Sequence, residues 1–251
     1  MRRKVLVIGG TLFIGKELVR RLVARGDRVT ILHRGRSPLP AGVEEMVCDR
    51  NDVAAVRRVL AGRSFDLVYD NVYDWQRGTT AEQVAAAAEA LGPGLRRYVF
   101  MSSVGAYGDG LDHAEDDPLA LDHPFPYIQH KARTERRLFE LGLPVVTLRP
   151  PFVYGPENGF YREAFFWDRI LAGRPVIVPD DGSRLMQFVY VRDLVEAMLR
   201  VAEVEEAVGQ AYNIADPGPI TQLEAVRAFA RAAGRDPRLV FLPRARIESL
   251  G

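Results

Sequence analysis

An apolar run, Val5–Ile8, passes directly into Gly9-Gly10-Thr11-Leu12-Phe13-Ile14-Gly15 and then into a segment of helical period. This succession of strand, glycine turn and helix constrains the fold more than any other feature of the chain. Glycines let the backbone turn sharply and approach a bound group closely, while the free N–H groups and positive dipole end of the following helix attract a phosphate. In that context Gly9, Gly10, Thr11, Leu12, Phe13, Ile14 and Gly15 form a candidate pyrophosphate-binding turn.

The pattern then repeats without the glycines. Apolar runs at Val29–Leu32, Glu45–Cys48, Leu67–Tyr69, Tyr98–Met101 and Val145–Leu148 are mostly separated by segments of helical period, which predicts βαβ units. Leu18, Val19, Leu22 and Val23 make one apolar stripe closed by Gly26, Asp52 is placed to cap the next helix, and Thr80/Gln83 and Thr221/Glu224 have capping-box spacing. The Pro-rich stretch Leu148–Pro156 ends the regular alternation. Beyond it, helical patterns at Glu163–Ala172, Leu194–Glu203 and Leu223–Ala233 mix with short strands near Val176–Val178, Phe188–Val191, Ala211–Ile214 and Leu239–Leu242. The expected fold class is α/β, a Rossmann doubly wound parallel sheet over residues 1–156. Residues 157–251 are expected to form a smaller α+β substrate-binding cap interwoven with the main sheet.

Composition narrows the function classes. The 251 residues carry 34 Lys plus Arg against 33 Asp plus Glu, so no global field draws the chain to nucleic acid or anionic lipid. Cys48 is the only cysteine, which rules out an internal disulfide or a cysteine-based zinc cluster, and no metal site is expected. The N-terminal apolar run is too short for a signal peptide or a membrane span, so the expected location is cytoplasmic.

Tyr127-Ile128-Gln129-His130-Lys131 opens a predicted helix, and its i, i+4 spacing puts a phenol and an ammonium on one face. A phenol with a pKa near 10 is a poor acid or base at neutrality, and a neighbouring cation draws it toward the working range. Upstream, Phe100-Met101-Ser102-Ser103-Val104-Gly105-Ala106-Tyr107-Gly108 reads as a buried strand that ends in serines. Downstream come Leu148-Arg149-Pro150-Pro151-Phe152-Val153-Tyr154-Gly155-Pro156, Phe188-Val189-Tyr190-Val191-Arg192-Asp193-Leu194 and Ala211-Tyr212-Asn213-Ile214.

Taken together, these segments resemble the extended short-chain dehydrogenase/reductase superfamily and its NAD-dependent epimerase/dehydratase family, with its YxxxK, LRPxxVYGP, FVYVxDL and YNI elements. The resemblance implies that Ser103, Tyr127 and Lys131 are catalytic: Ser103 holds the reacting oxygen, Tyr127 exchanges a proton with it, and Lys131 binds the nicotinamide ribose. It adds Asn71 and Ser102, with Tyr127 and Lys131, to the cofactor surface, and Tyr154 and Arg184, with Ser103, to the substrate surface. Asp49 matches the residue that holds the adenine amino group. Where an NAD-selective relative carries an acidic residue after the second strand, this chain has His33-Arg34-Gly35-Arg36; the guanidinium groups suit a 2′-phosphate, so His33, Arg34 and Arg36 favour NADP over NAD.

Several positions depart from the family pattern. Leu12 stands where the GxxGxxG register has its middle glycine, and Val72 and Tyr73 are bulky where relatives have small residues. Met186 stands where nucleotide-sugar enzymes have a diphosphate-binding arginine, with Arg184 two residues earlier. Val104 and Gly105 replace the acidic pair that dehydratases need, which argues against water elimination. This combination is similar to a branch that includes chloroplast stem-loop RNA-binding proteins. The implied function is NAD(P)-dependent oxidoreduction or epimerisation at a hydroxyl or ketone of a small molecule, with a nucleotide sugar as first candidate. The alternative is a non-redox RNA-binding protein on the same fold, using Arg20, Arg21, Arg25 and Arg28 or Arg133, Arg136 and Arg137; the balanced charge argues against it. Alanine and leucine in the helices starting near Thr80 and Tyr127 suggest a homodimer face.

Overall fold

A computed structural model describes residues 2–92 and 94–249. In chain order the elements are β1 (Lys4–Ile8), α1 (Phe13–Ala24), β2 (Arg28–His33), β3 (Glu44–Val47), α2 (Val53–Leu60), β4 (Leu67–Asp70), α3 (Ala81–Leu91), β5 (Arg97–Met101), α4 (Pro126–Glu140), β6 (Val145–Arg149) and β7 (Phe152–Tyr154). They continue with α5 (Glu163–Leu171), β8 (Val176–Pro179), β9 (Leu185–Met186), β10 (Phe188–Tyr190), α6 (Val191–Val201), β11 (Ala211–Asn213), β12 (Ile220–Thr221), α7 (Gln222–Ala232), β13 (Leu239–Leu242) and α8 (Arg244–Glu248). The main sheet runs β11-β6-β5-β4-β1-β2-β3, and every pairing in it is parallel.

Both faces of this sheet are covered, which is why its strands read as continuous apolar runs. Side chains alternate between two cores: Val5, Val7, Val99 and Met101 pack beneath α1 and α6, whereas Leu6, Ile8, Tyr98 and Phe100 pack beneath α2, α3 and α4. The helix starts follow the capping chemistry in the sequence. Asp52 accepts from the Ala55 N–H at 2.9 Å, and Thr80 and Thr221 each form a reciprocal capping box.

The chain does not stay in a separate unit after residue 156. Strand β11 returns to the edge of the main sheet beside β6, and α6 packs on α1. The remainder is a small layer in which β13 pairs with β8 and α5 packs against α7. The alanines of α3 are not a free face: Ala81 and Ala85–Ala88 are buried within this chain, and α3 lies between α2 and α4.

One buried ionic cluster ties β5, α4, β6 and β11 together. Glu135 accepts from Arg149 through Nε at 3.1 and 3.0 Å and Nη2 at 2.7 Å, from the Thr147 hydroxyl at 2.9 Å, and from the Ser102 hydroxyl. Arg149 also donates to the Tyr107 hydroxyl at 2.6 Å, which donates in turn to Asn213 at 2.8 Å. Glu135 is fully buried and Arg149 nearly so, and breaking such a pair leaves an uncompensated charge in the interior. The Arg149→Met variant should therefore lose roughly 3–5 kcal/mol of stability in urea unfolding, with part of the loss recovered by Glu135→Leu/Arg149→Met. A loss below about 1 kcal/mol in the single variant would show that the pair does not hold these elements together.

Candidate active site

The strand order reverses between β1 and β4, and in open α/β sheets the crevice at such a point, outside the carboxyl ends of the strands, is where ligands bind. A groove of about 450 Å³ opens there. It is lined by Gly9 and Thr11–Gly15 after β1, by His33, Arg34 and Arg36 at the end of β2, by Asp49 after β3, and by Asn71 to Trp75 after β4. Of the residues expected around the cofactor, Gly10, Ser102, Tyr127 and Lys131 do not line the groove, and neither does Ser103. Gly10 packs inward, where an added Cβ would come within 2.8 Å of Val19, and the buried Ser102 donates to Glu135.

The glycine turn has the features an anion site requires. A Cβ on Gly15 would lie 1.9 Å from the Gly9 carbonyl oxygen, so only glycine allows α1 to approach the end of β1 so closely. No side chain caps the start of α1, and its first N–H groups have no partner within the helix. Phe13 sits at φ 37°, a left-handed conformation that costs a non-glycine residue roughly 1–3 kcal/mol. Both side-chain atoms of Asn71 are buried without a partner. An uncapped helix start and an unsatisfied amide in one groove fit the pyrophosphate and the further polar groups of a dinucleotide.

Two carboxylates, Asp49 and Asp74, organise the β2–β3 end of the groove. Asp49 accepts from Arg77 at 2.8 Å and from the Asn51 N–H at 3.0 Å; burial acts to raise its pKa, but these partners outweigh it and hold it low. Arg77 also donates to Asp74 at 2.7 Å, and Arg34 lies 3.4 Å from the same carboxylate. Burial likewise works against the low pKa of Asp74, and Arg77 overcomes it. Arg34 is thus partly neutralised, whereas Arg36 lines the groove with no ion pair among the described residues. His33 is buried and paired with Glu45 at 2.8 Å.

The three catalytic candidates gather at the ends of β5 and α4. Ser103 follows β5, and its hydroxyl accepts from the Gly105 N–H at 3.0 Å. A Cβ on Gly105 would stand 3.3 Å from Ser103 Oγ and 3.7 Å from the Tyr127 ring, so the serine and tyrosine converge there. Burial raises the Tyr127 pKa, and Ser103 offsets part of the shift. This differs from the expected phenolate. Lys131 donates to the Met101 carbonyl at 2.5 Å, with Nζ 4.8 Å from the Phe100 ring centre and 5.9 Å from that of Tyr127. Burial lowers the Lys131 pKa to about 8, although Asp70 and Glu135 act to raise it.

Asp70, Arg50 and Trp75 were not expected from the sequence. Asp70 is fully buried, pairs with Arg50 and accepts from the Tyr98 hydroxyl at 2.7 Å. The only signal for it was an acidic residue ending an otherwise apolar strand. Trp75 lines the groove and stacks on Tyr127, with ring centres 4.6 Å apart and planes at 20°. Tyr154 and Arg184 are not groove-lining residues: Tyr154 packs against Phe188 and Tyr190, and Arg184 is exposed beside β9. The arginines weighed for RNA are engaged by acidic neighbours, as in Arg20–Glu17, Arg21–Glu196, Arg25–Glu203, Arg28–Glu44, Arg133–Asp122, Arg136–Glu140 and Arg137–Glu89. No helix among the described residues is long and apolar enough to cross a membrane.

Comparison with known proteins agrees with this architecture. A chloroplast stem-loop binding protein of 41 kDa b from Arabidopsis thaliana is 36% identical over 95% of the chain, and the chain spans 65% of that protein's length. A 3-diazoavenalumate denitrifying reductase from a Streptomyces species is 30% identical over 93% of the chain and 83% of its own length. The structure of MoeE5 in complex with UDP-glucose and NAD superimposes with a TM-score of 0.76 at 27% identity, covering 96% of this chain and 85% of that one. The model of the NAD dependent epimerase/dehydratase family matches residues 5–215, and the chain belongs to that family.

Proposed function

We propose that the protein is an NAD(P)-dependent oxidoreductase or epimerase that acts on a hydroxyl or ketone of a small molecule, with the cofactor in the groove that starts at Gly9–Gly15. The observation that carries this reading is the convergence of Ser103 and Tyr127 beside a groove whose floor is an uncapped helix start. When bound, the nicotinamide would supply the hydride donor or acceptor. Ser103 donates a hydrogen bond to the substrate oxygen. Tyr127, protonated at neutral pH because burial raises its pKa, is ready to give that oxygen a proton as a ketone becomes an alcohol. In the reverse direction the deprotonated hydroxyl takes up the proton that the alcohol releases. Lys131 contributes a buried positive charge next to the strand end that carries Ser103. The names of the relatives, a reductase and a protein bound to UDP-glucose and NAD, support this class and make sugar nucleotides part of any substrate panel. Residues 157–251 serve as the substrate-side cap in this reading, with Gly159 and Phe160 lining the groove.

Three outcomes follow. Calorimetry should find NADP bound more tightly than NAD, and Arg36→Ala should remove most of the difference, more than Arg34→Ala does, because Asp74 already holds Arg34. Equal affinities in the parent protein would refute a 2′-phosphate role. Tyr127→Phe should lower turnover roughly a hundredfold or more while leaving cofactor affinity nearly unchanged. Near-parental turnover would mean that the tyrosine is only a helix residue. Finally, if the Lys131 ammonium supports the cofactor, NADPH affinity should fall as pH rises through about 8, where this group discharges, and Lys131→Met should not show that fall. An identical pH dependence in both proteins would remove Lys131 from the site.

A further inference from the structure

An aromatic corner stands beside Tyr127 at one end of the groove. Trp75 lies nearly parallel to the Tyr127 ring, Tyr73 meets Tyr127 edge-on at 4.8 Å, and Phe160 meets Trp75 edge-on at 5.7 Å. These rings come from three distant segments, the β4–α3 connection, the start of α4 and the loop after β7, yet Trp75 and Phe160 line the same groove and remain 57% and 52% exposed. Leu12, 71% exposed, lines it too. Large apolar side chains left open to water around one concave mouth mark a surface that something apolar covers.

The Trp75 connection is held in shape. Asp74 accepts from the N–H groups of Gln76 and Arg77, each at 3.0 Å, and from the Arg77 guanidinium, while its own N–H donates to Thr79 at 3.0 Å. Tyr73 is fixed by a 3.1 Å hydrogen bond to His130 of α4. The corner is therefore a built wall on a tied loop.

Charge excludes one kind of occupant. Among the described residues lining the groove, the permanent cations are Arg34, Arg36 and Arg50. Arg34 and Arg36 follow β2, on the far side of β1 from β4, and Arg50 is buried against Asp70. Near the loop after β7, Lys16 is paired with Glu157 at 2.8 Å, and Arg162 is paired with Glu163 at 2.5 Å. Met186 stands on β9, away from the groove, and brings no charge. Among the described residues, none at the aromatic end offers an unpaired guanidinium to grip a diphosphate.

We propose that Trp75 is the specificity-determining residue of this site and seats a neutral ring-bearing ketone or alcohol, aryl or alicyclic, in place of a nucleoside diphosphate sugar. The inference rests on the catalytic reading of Tyr127. In the reductive direction the carbonyl carbon takes a hydride from the reduced nicotinamide, its oxygen takes the Tyr127 proton, and the products are the alcohol and the oxidised cofactor; solvent then reprotonates the tyrosine.

The test measures NADPH-dependent reduction of acetophenone, cyclohexanone and butanone, together with conversion of UDP-glucose, by the parent protein and by Trp75→Ala, Trp75→Phe and Tyr127→Phe. Cofactor binding is followed separately by calorimetry. The expected result is reduction of the two ring ketones with a KM about tenfold higher in Trp75→Ala, the scale of one aromatic stack, and kcat nearly unchanged. Trp75→Phe should restore most of that affinity, and KM for butanone should not move. If the ring ketones keep their parental KM in Trp75→Ala, or UDP-glucose is converted and they are not, the substrate assignment is overturned; the catalytic reading survives provided Tyr127→Phe abolishes that turnover. Turnover indifferent to Tyr127→Phe, or no turnover of any probe by protein shown to bind NADPH, overturns both.

Discussion

The tightest glycine contact among the described residues is the approach of α1 to the end of β1, where a single Cβ on Gly15 would collide with the Gly9 carbonyl. Everything at the site depends on it. Because the helix start abuts the strand end, its uncapped N–H groups open into the groove, and the ends of β2, β3 and β4 supply the remaining walls in parallel register. Phe13, held in a left-handed conformation at this junction, carries strain that the two apolar cores on either side of the sheet must outweigh.

Two buried ionic clusters flank the catalytic candidates, and they act differently. Glu135 and Arg149 tie α4 to β6 and are fully hydrogen-bonded, so they hold the helix carrying Tyr127 in register with the strand carrying Ser103. Asp70 and Arg50 leave Asp70 Oδ1 without a partner, and Lys131 feels both of their charges from within the same apolar interior. Desolvation wins at Lys131, which is why its ammonium is weakly held near neutrality while the phenol of Tyr127 keeps its proton. In the proposed reading this protonated tyrosine gives its proton to a ketone oxygen, while Lys131 donates to the Met101 carbonyl.

The sequence by itself determined the sheet, most strand positions, the helix caps and the glycine turn, because each depends on local period or on a backbone geometry that one residue type alone permits. It also carried the resemblance to a known family that made Ser103, Tyr127 and Lys131 candidates, since a strand ending in serines and an i, i+4 pair are local patterns. Glu135, eight residues beyond Tyr127 on the same helical face, was within reach of that logic. What only the tertiary structure decided lies in contacts between distant segments: the pairing of Arg34 with Asp74, the return of β11 to the main sheet, the inward burial of the α3 alanines, the orientation of Lys131 and the stacking of Trp75 on Tyr127. No spacing rule encodes these, because the burial and charge that set them come from residues brought together by packing, with partners tens of positions away in the chain.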